Sequence, residues 1–216
     1  MLNILINGIN VEISAENTDL PGLIFKPKMK KYNNDEDWSS FTRPCSNEVS
    51  LQNYKLVEEV SKNHMTHGIL EIGISRNGEG SFTQAMLLNK PDNIKYLGVD
   101  LDDKTYLDNK EKNTYTIRES SFNIENVKSY AKEIGMDKIS ILFIDGWHSL
   151  NAVINDWKYV DMLSDDGIVI FHDSNYHPGP TIFVEAIDKS KFRVEKHFQF
   201  QDDYGVTIAY KLPSNN

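Results

Sequence analysis

The sequence predicts an α/β protein built on a doubly wound, mostly parallel sheet, and three observations carry that prediction. Short apolar runs alternate with amphipathic stretches through five cycles between residues 68 and 189, as strands do when each needs a crossover helix. Four of the five apolar runs end abruptly at an acidic residue, namely Glu71, Asp100, Asp145 and Asp173. Two further strand-like runs close the chain, between residues 192 and 212 around a turn near Asp202-Asp203, which suggests an antiparallel addition at one edge.

Taken in order, residues 4–13, "ILINGINVEI", read as a hairpin whose Asn7-Gly8 pair supplies the positive φ angles of a two-residue turn. Residues 14–45 read as irregular, broken by Pro21-Gly22, Pro27 and Pro44. Together they form an N-terminal extension over 1–45: a lid, an oligomer contact, or a plain appendage. Its lysine-bearing "KPKMKKY" reads as a solvated loop, with contact to an acidic ligand as the alternative. From residue 46 the period changes. Val49, Leu56, Val57 and Val60 fall at helical spacing within 46–64. The strands that follow are "GILEIG" (68–73), "KYLGVD" (95–100), "NTYTIRES" (113–120), "ISILFID" (139–145) and "GIVIFHD" (167–173). The helices between and after them are 82–89, 123–135, 150–163 and 180–189, the second closed by Gly135.

Composition narrows the function classes. With 216 residues the chain makes one main domain, 46–216, plus the extension. A net charge of −9 argues against a general electrostatic grip on nucleic acid. The N-terminus lacks the basic segment of a signal peptide, and no apolar run approaches the ~20 residues of a spanning helix. The single cysteine, Cys45, can form neither an intrachain disulfide nor a cysteine-based metal site. A cytoplasmic protein with no membrane and no nucleic-acid partner is expected.

In open sheets of this kind, ligands bind beyond the carboxyl ends of the strands, where strand order reverses. "EIGISRNGEGS", 71–81, is a glycine-rich turn at such an end. It has neither the dinucleotide G-x-G-x-x-G spacing nor the Gly-Lys-Ser/Thr of a phosphate loop. Glu71 would repel a pyrophosphate but suit an amino or sulfonium cation. Asp100, 29 residues on, is placed to accept ribose hydroxyls. The pair points to S-adenosylmethionine (SAM), with S-adenosylhomocysteine (SAH) as product. The candidate cofactor contacts are Glu71, Gly73, Ser75, Asn77, Gly78, Ser81, Asp100, Leu101, Ser121 and Asp145, with Ser120 and Phe122 as further candidates to frame the adenine.

The order "LEIG…GVD…FIDGWHS…GIVIFHD" resembles the class I SAM-dependent methyltransferases over roughly residues 48–212. More narrowly it is similar to the small-molecule O-methyltransferases with an Ile-Asp-Gly-x-His motif, the macrolide-sugar and cephalosporin-tailoring type. The resemblance implies a Rossmann-like seven-stranded sheet in the order 3-2-1-4-5-7-6, with strand seven antiparallel. It also implies a small hydroxylated acceptor, such as a sugar or natural product, and frequent homo-oligomers.

Methyl transfer to oxygen needs an oxygen lone pair aligned with the methyl carbon and a group to take the hydroxyl proton. In "FIDGWHS", His148 suits the proton and Asp145 the role of a catalytic or metal-ligating carboxylate, with Trp147 walling the pocket. Asp173 is a second candidate ligand for Mg²⁺ or another divalent cation. His172 is a third, although the acidic pair of the resembling enzymes is here His-Asp, and strand alternation would turn His172 away from Asp173. Ser174 or Asn175 could supply an oxygen, and His177 an alternative base, in "SNYHPGP". The competing readings are the same fold working without metal or on another acceptor, and a non-catalytic SAM-binding protein.

Overall fold

The computed structural model describes residues 2–6, 9–29, 51–75, 81–200 and 203–213. Its main sheet comprises β4 (Gly68–Ile72), β5 (Tyr96–Asp100), β6 (Thr114–Arg118), β7 (Ile139–Ile144), β8 (Leu163–His172), β9 (Phe192–His197) and β10 (Val206–Lys211). The order across it is β6-β5-β4-β7-β8-β10-β9. β10 runs antiparallel to both β8 and β9, and the other pairs are parallel. Counted from β4, this is the expected 3-2-1-4-5-7-6. Strand order reverses between β4 and β7, so the crevice lies where Ile72 and Ile144 end side by side.

β4 and β7 are buried at every position, because helices cover both faces. Leu70, Ile72, Leu142, Ile144, Val169 and Phe171 face one core, shared with α3 (Ile124–Glu133), α4 (Leu150–Asp156) and α5 (Pro178–Phe183). Ile69, Ile141, Phe143, Ile168 and Ile170 face another, closed by α1 (Leu51–His64) and α2 (Phe82–Leu87). Local chemistry sets the helix ends. Ser81 and Ser149 cap α2 and α4 by accepting the backbone N–H of Gln84 and Ala152 at 3.1 and 3.2 Å. Gly135, at φ +72°, terminates α3 as its position predicted. Short 3₁₀ turns at Trp157–Met162 and Val184–Ala186 extend α4 and α5.

β1 (Leu2–Ile6) and β2 (Ile9–Glu16) pair antiparallel, with Ile6 opposite Ile9, as the hairpin reading expects. The region after them is less irregular than expected. Lys26–Met29 is a third strand, β3, paired with β2. Pro27 and Met29 turn inward while Lys26 and Lys28 face solvent, and Lys28 lies 3.4 Å from Glu16. This small sheet is docked on the helix layer. Ile6, Val11, Ile13, Leu23 and Met29 share the core of α3, α4 and α5. The Trp157 indole donates to the Pro21 carbonyl at 2.7 Å, and Ile24 N–H to the Ala186 carbonyl at 2.9 Å. Asn7-Gly8, residues 30–50 with Cys45 and Val49, the glycine-turn residues Asn77, Gly78 and Gly80, and Asp202 lie outside the described residues. Among the described residues, no helix is long and apolar enough to cross a membrane.

Candidate active site at the ends of β4, β5, β7 and β8

The glycine turn is built against Asp145. Gly73 sits at φ +84°, and a Cβ there would lie 2.2 Å from the Asp145 carbonyl oxygen. Only glycine lets the β4 exit pass this close to the β7 exit. Asp145 N–H donates to the Ile72 carbonyl and Gly73 N–H to the Val99 carbonyl, each at 2.9 Å. Three strand tips are thereby fastened together. Asp100 reinforces the knot: Oδ2 accepts Ile74 N–H and Oδ1 accepts Asp102 N–H, both at 2.8 Å. Ser75 N–H lies 3.3 Å from Thr83 Oγ1.

Glu71 is placed differently from expectation. Its side chain points toward α2 and is 1 % exposed. Thr83 Oγ1 donates to Oε1 at 2.7 Å and the Tyr96 hydroxyl donates to Oε2. Burial raises its pKa to about 8 against the lowering effect of those two bonds. Glu71 is therefore no bare carboxylate offered to a cation, but a sealed group beneath the turn. Ser81 is spent on its helix cap. Leu101 and Phe122 are exposed beside the β5 and β6 ends. The Ser121 carbonyl accepts from Asn155 Nδ2 at 3.0 Å and from the Tyr159 hydroxyl at 2.8 Å, which fixes that loop on α4.

At the β7 and β8 ends the polar groups converge. His148 Nε2 lies 2.7 Å from Asp173 Oδ2 and 3.5 Å from Asp145 Oδ1. His172 Nδ1 lies 3.0 Å from Asp145 Oδ1 and 3.5 Å from Asp173 Oδ1. The expectation that alternation turns His172 away is thus corrected. Asp173 leaves the strand at φ +58°, so the alternation stops there and both side chains reach the same pocket. The Asp173 carbonyl then accepts the N–H groups of Tyr176 and His177, each at 3.0 Å. This tight turn brings the His177 ring onto that of His148, with centroids 4.2 Å apart and planes within 8°. Gly179 permits the approach, since a Cβ there would lie 2.2 Å from the His148 carbonyl oxygen.

The other candidates in this loop are engaged elsewhere. Ser174 Oγ accepts from Thr207 Oγ1 at 2.7 Å, and Asn175 Nδ2 donates to the carbonyls of Phe200 and Asp203 at 2.7 and 2.9 Å. Trp147 is 56 % exposed at the rim.

Charge is concentrated here. Burial alone would lower the pKa of His148 and His172, but Asp173 and Asp145 override it and raise both. Burial would raise Asp145, and the two imidazoles hold it below the usual carboxylate range. His177 differs: burial and the neighbouring His148 lower it to about 4, leaving a neutral ring. Among the described residues, two sets of three donors lie close enough to share a cation, Asp145/His172/Asp173 and His148/Asp173/His177, in each case within 4.8 Å of one another. Sequence reasoning missed the stacking of His177 on His148 and the placing of Tyr204 and Phe82 against His172, with centroids at 5.9 and 4.7 Å. It also missed Asp156, buried under Gly146 on α4, whose pKa burial pushes up to about 7.

Comparison with known proteins agrees with this architecture. Residues 70–174 match a family model described as a methyltransferase domain. No curated protein sequence matches the chain. Among solved structures, the O-methyltransferase from Bacillus cereus in complex with SAH superposes with a TM-score of 0.56 at 14 % identity, covering 77 % of this chain and 83 % of that one. A methyltransferase from Geobacter sulfurreducens gives 0.52 at 12 % identity, with 76 % and 80 % covered. The MycE methyltransferase of the mycinamycin biosynthetic pathway, in complex with Mg, SAH and mycinamycin VI, gives 0.53 at 17 % identity over 76 % of this chain. The chain spans about half the length of that protein, 50 %. At these identities the structures establish the fold alone, and the match to a methyltransferase domain extends over residues 70–174, just under half of the chain.

Proposed function

We propose that this protein is an enzyme that transfers the methyl group of SAM to a hydroxyl of a small molecule, assisted by a divalent cation, with His148 as general base. The observation that carries the reading is that each of the His148 and His172 imidazoles lies within 3.5 Å of both the Asp145 and the Asp173 carboxylates, directly beside the Gly73 turn. SAM would lie across the β4 and β5 ends. There Gly73, Ser75, Asp100, Leu101 and Ser121 offer backbone and carboxylate contacts, and Glu71 supports the β4 exit from below. The sulfonium methyl would face the β7 and β8 ends.

The donor set fits a divalent cation. Among the described residues, buried Asp173 Oδ1 has no hydrogen-bond partner, and Asp145 and His172 offer their donors alongside. Asp145, Asp173 and His172 would hold the ion. When bound, it would lower the pKa of an acceptor hydroxyl and fix its direction. The remaining work belongs to the protein. His148 takes the hydroxyl proton, the freed oxygen lone pair forms a bond to the methyl carbon, and the carbon–sulfur bond breaks with its electron pair left on sulfur as SAH. For this His148 must be neutral, yet the adjacent Asp173 and Asp145 carboxylates raise its pKa. Positive charge on Asp145 and Asp173 offsets that effect, which favours the metal-assisted reading over a metal-free His148–Asp173 pair. MycE, crystallised with Mg and a small-molecule ligand, supports the same reading by analogy.

The N-terminal segment, 1–45, is proposed as a lid or an oligomer contact, and the protein as a cytoplasmic one. Calorimetric titration of SAH, with and without divalent cation, tests the cofactor. Single-turnover methylation across a panel of polyhydroxylated acceptors, with His148→Ala as control, tests the base. Near-wild-type transfer by that variant would end the role given to His148.

A further inference from the structure

The acidic pair expected at the end of β8 is here His172-Asp173, and the structure shows what the imidazole does. His172 is 3 % exposed. Its ring is fixed between the edge of Phe82 and the face of Tyr204, with centroids at 4.7 and 5.9 Å. Held this way, Nδ1 is aimed between Asp145 Oδ1 at 3.0 Å and Asp173 Oδ1 at 3.5 Å. A ring locked by packing on both sides cannot swing out to be replaced by water. Mg²⁺ prefers six oxygen donors and keeps several waters, whereas an imidazole with two carboxylates suits Mn²⁺, Fe²⁺, Co²⁺ or Zn²⁺.

The second triad, His148/Asp173/His177, is the weaker cation site. An imidazole binds a metal in its ring plane, along the nitrogen lone pair. The His148 and His177 rings are stacked face to face, 8° from parallel, so their lone pairs run side by side rather than converging. That leaves His148 for the proton.

We propose that Asp145, His172 and Asp173 form a mixed nitrogen–oxygen site that selects a borderline first-row transition cation over Mg²⁺, with His172 as the selecting ligand. The proposal rests on reading this pocket as a metal-assisted methyltransferase centre, but its test does not depend on turnover.

The experiment is calorimetric titration of the full chain with Mn²⁺ and with Mg²⁺, in the presence and absence of SAH, alongside electron spin-echo spectroscopy of the Mn²⁺-loaded protein. Mn²⁺ should bind more than about ten-fold tighter than Mg²⁺. The echo should carry ¹⁴N modulation from a directly bound imidazole. In His172→Asp the modulation should vanish and the Mn²⁺/Mg²⁺ ratio should fall several-fold, while SAH affinity, the check on folding, is retained. His172→Asn should weaken Mn²⁺ binding without restoring Mg²⁺, and serves if the aspartate variant fails to fold. Equal affinities for the two ions in the wild type, or nitrogen modulation that persists without His172, overturns the proposal. Tight SAH binding with no cation binding overturns it too and leaves the methyltransferase reading intact. Cation binding as expected with no SAH binding supports the metal site and strikes the cofactor reading instead.

Discussion

Two pairs of strand tips carry the same residue types and use them in opposite ways. At β4 and β5 the carboxylates are absorbed by the protein: Glu71 takes hydrogen bonds from Thr83 and Tyr96, and Asp100 from the backbone of Ile74 and Asp102. At β7 and β8, among the described residues, the ion-pair partners of Asp145 and Asp173 are imidazoles, and one buried oxygen of Asp173 has no hydrogen-bond partner. The first arrangement is a scaffold, held in place by fixed hydrogen-bond donors. In the second, charge is brought together without being taken up by fixed donors, which is the pattern expected of the proposed reactive half. A carboxylate at a strand end is thus no indicator of chemistry until its partners are known.

The largest difference between the halves should appear with His148→Ala. If His148 is the base, single-turnover methyl transfer falls by about 10²- to 10⁴-fold while SAH affinity stays within a few-fold. A parallel loss of SAH binding would assign His148 to the cofactor side and erase the contrast. Gly73→Ala attacks the seam between the halves. A left-handed φ costs roughly 1–3 kcal/mol in a non-glycine residue, and the Cβ would meet the Asp145 carbonyl oxygen at 2.2 Å. Thermal unfolding and SAH titration should both suffer. An unchanged melting temperature would mean that the two strand exits are not fastened as described. Asp100→Asn is milder. The amide keeps one acceptor oxygen and loses the other, so one of the Ile74 and Asp102 N–H groups loses its acceptor. By the worth of hydrogen bonds to a charged group, SAH affinity should drop roughly ten-fold or somewhat more.

The fold was legible because its signals are local. Each apolar run ends in a polar residue and is followed by an amphipathic stretch, and that grammar placed all five parallel strands and the closing pair. β3 was missed because four residues containing a proline, flanked by lysines, give too short a pattern, although Lys26-Pro27-Lys28-Met29 does alternate. In the site, Asp145, His148 and Asp173 could be named from position along the strands. The orientation of His172 could not. It depends on Asp173 adopting φ +58°, a conformation uncommon outside glycine that no neighbouring residue announces. The sealing of Glu71 was hidden for another reason: its partner Tyr96 stands 25 residues away on the adjacent strand, and only the folded sheet brings the two together. The stacking of His177 likewise depends on Gly179 passing against the backbone of His148.

Glu71→Gln should have the smallest effect on activity, and it isolates the scaffold half most cleanly. Burial holds the Glu71 carboxyl at about 8, above its unfolded value near 4.5. Between those two pH values the folded chain retains a proton that the unfolded chain releases. Stability from this group is therefore complete below about pH 4.5, declines as pH rises, and is exhausted above about pH 8. Glutamine carries no titrating proton, and the Thr83 and Tyr96 hydroxyls can each donate or accept, so the local hydrogen bonds can be rearranged rather than lost. The variant should match the wild type near pH 5 and be more stable near pH 8.5, by an amount on the order of a few kcal/mol, with SAH affinity nearly unchanged. Chemical denaturation at the two pH values measures the difference. A variant that follows the pH dependence of the wild type shows that Glu71 is ionised in the fold, and a variant that loses SAH binding shows that its carboxylate reaches the cofactor after all. Either result would move Glu71 from the scaffold half of the crevice to the reactive one.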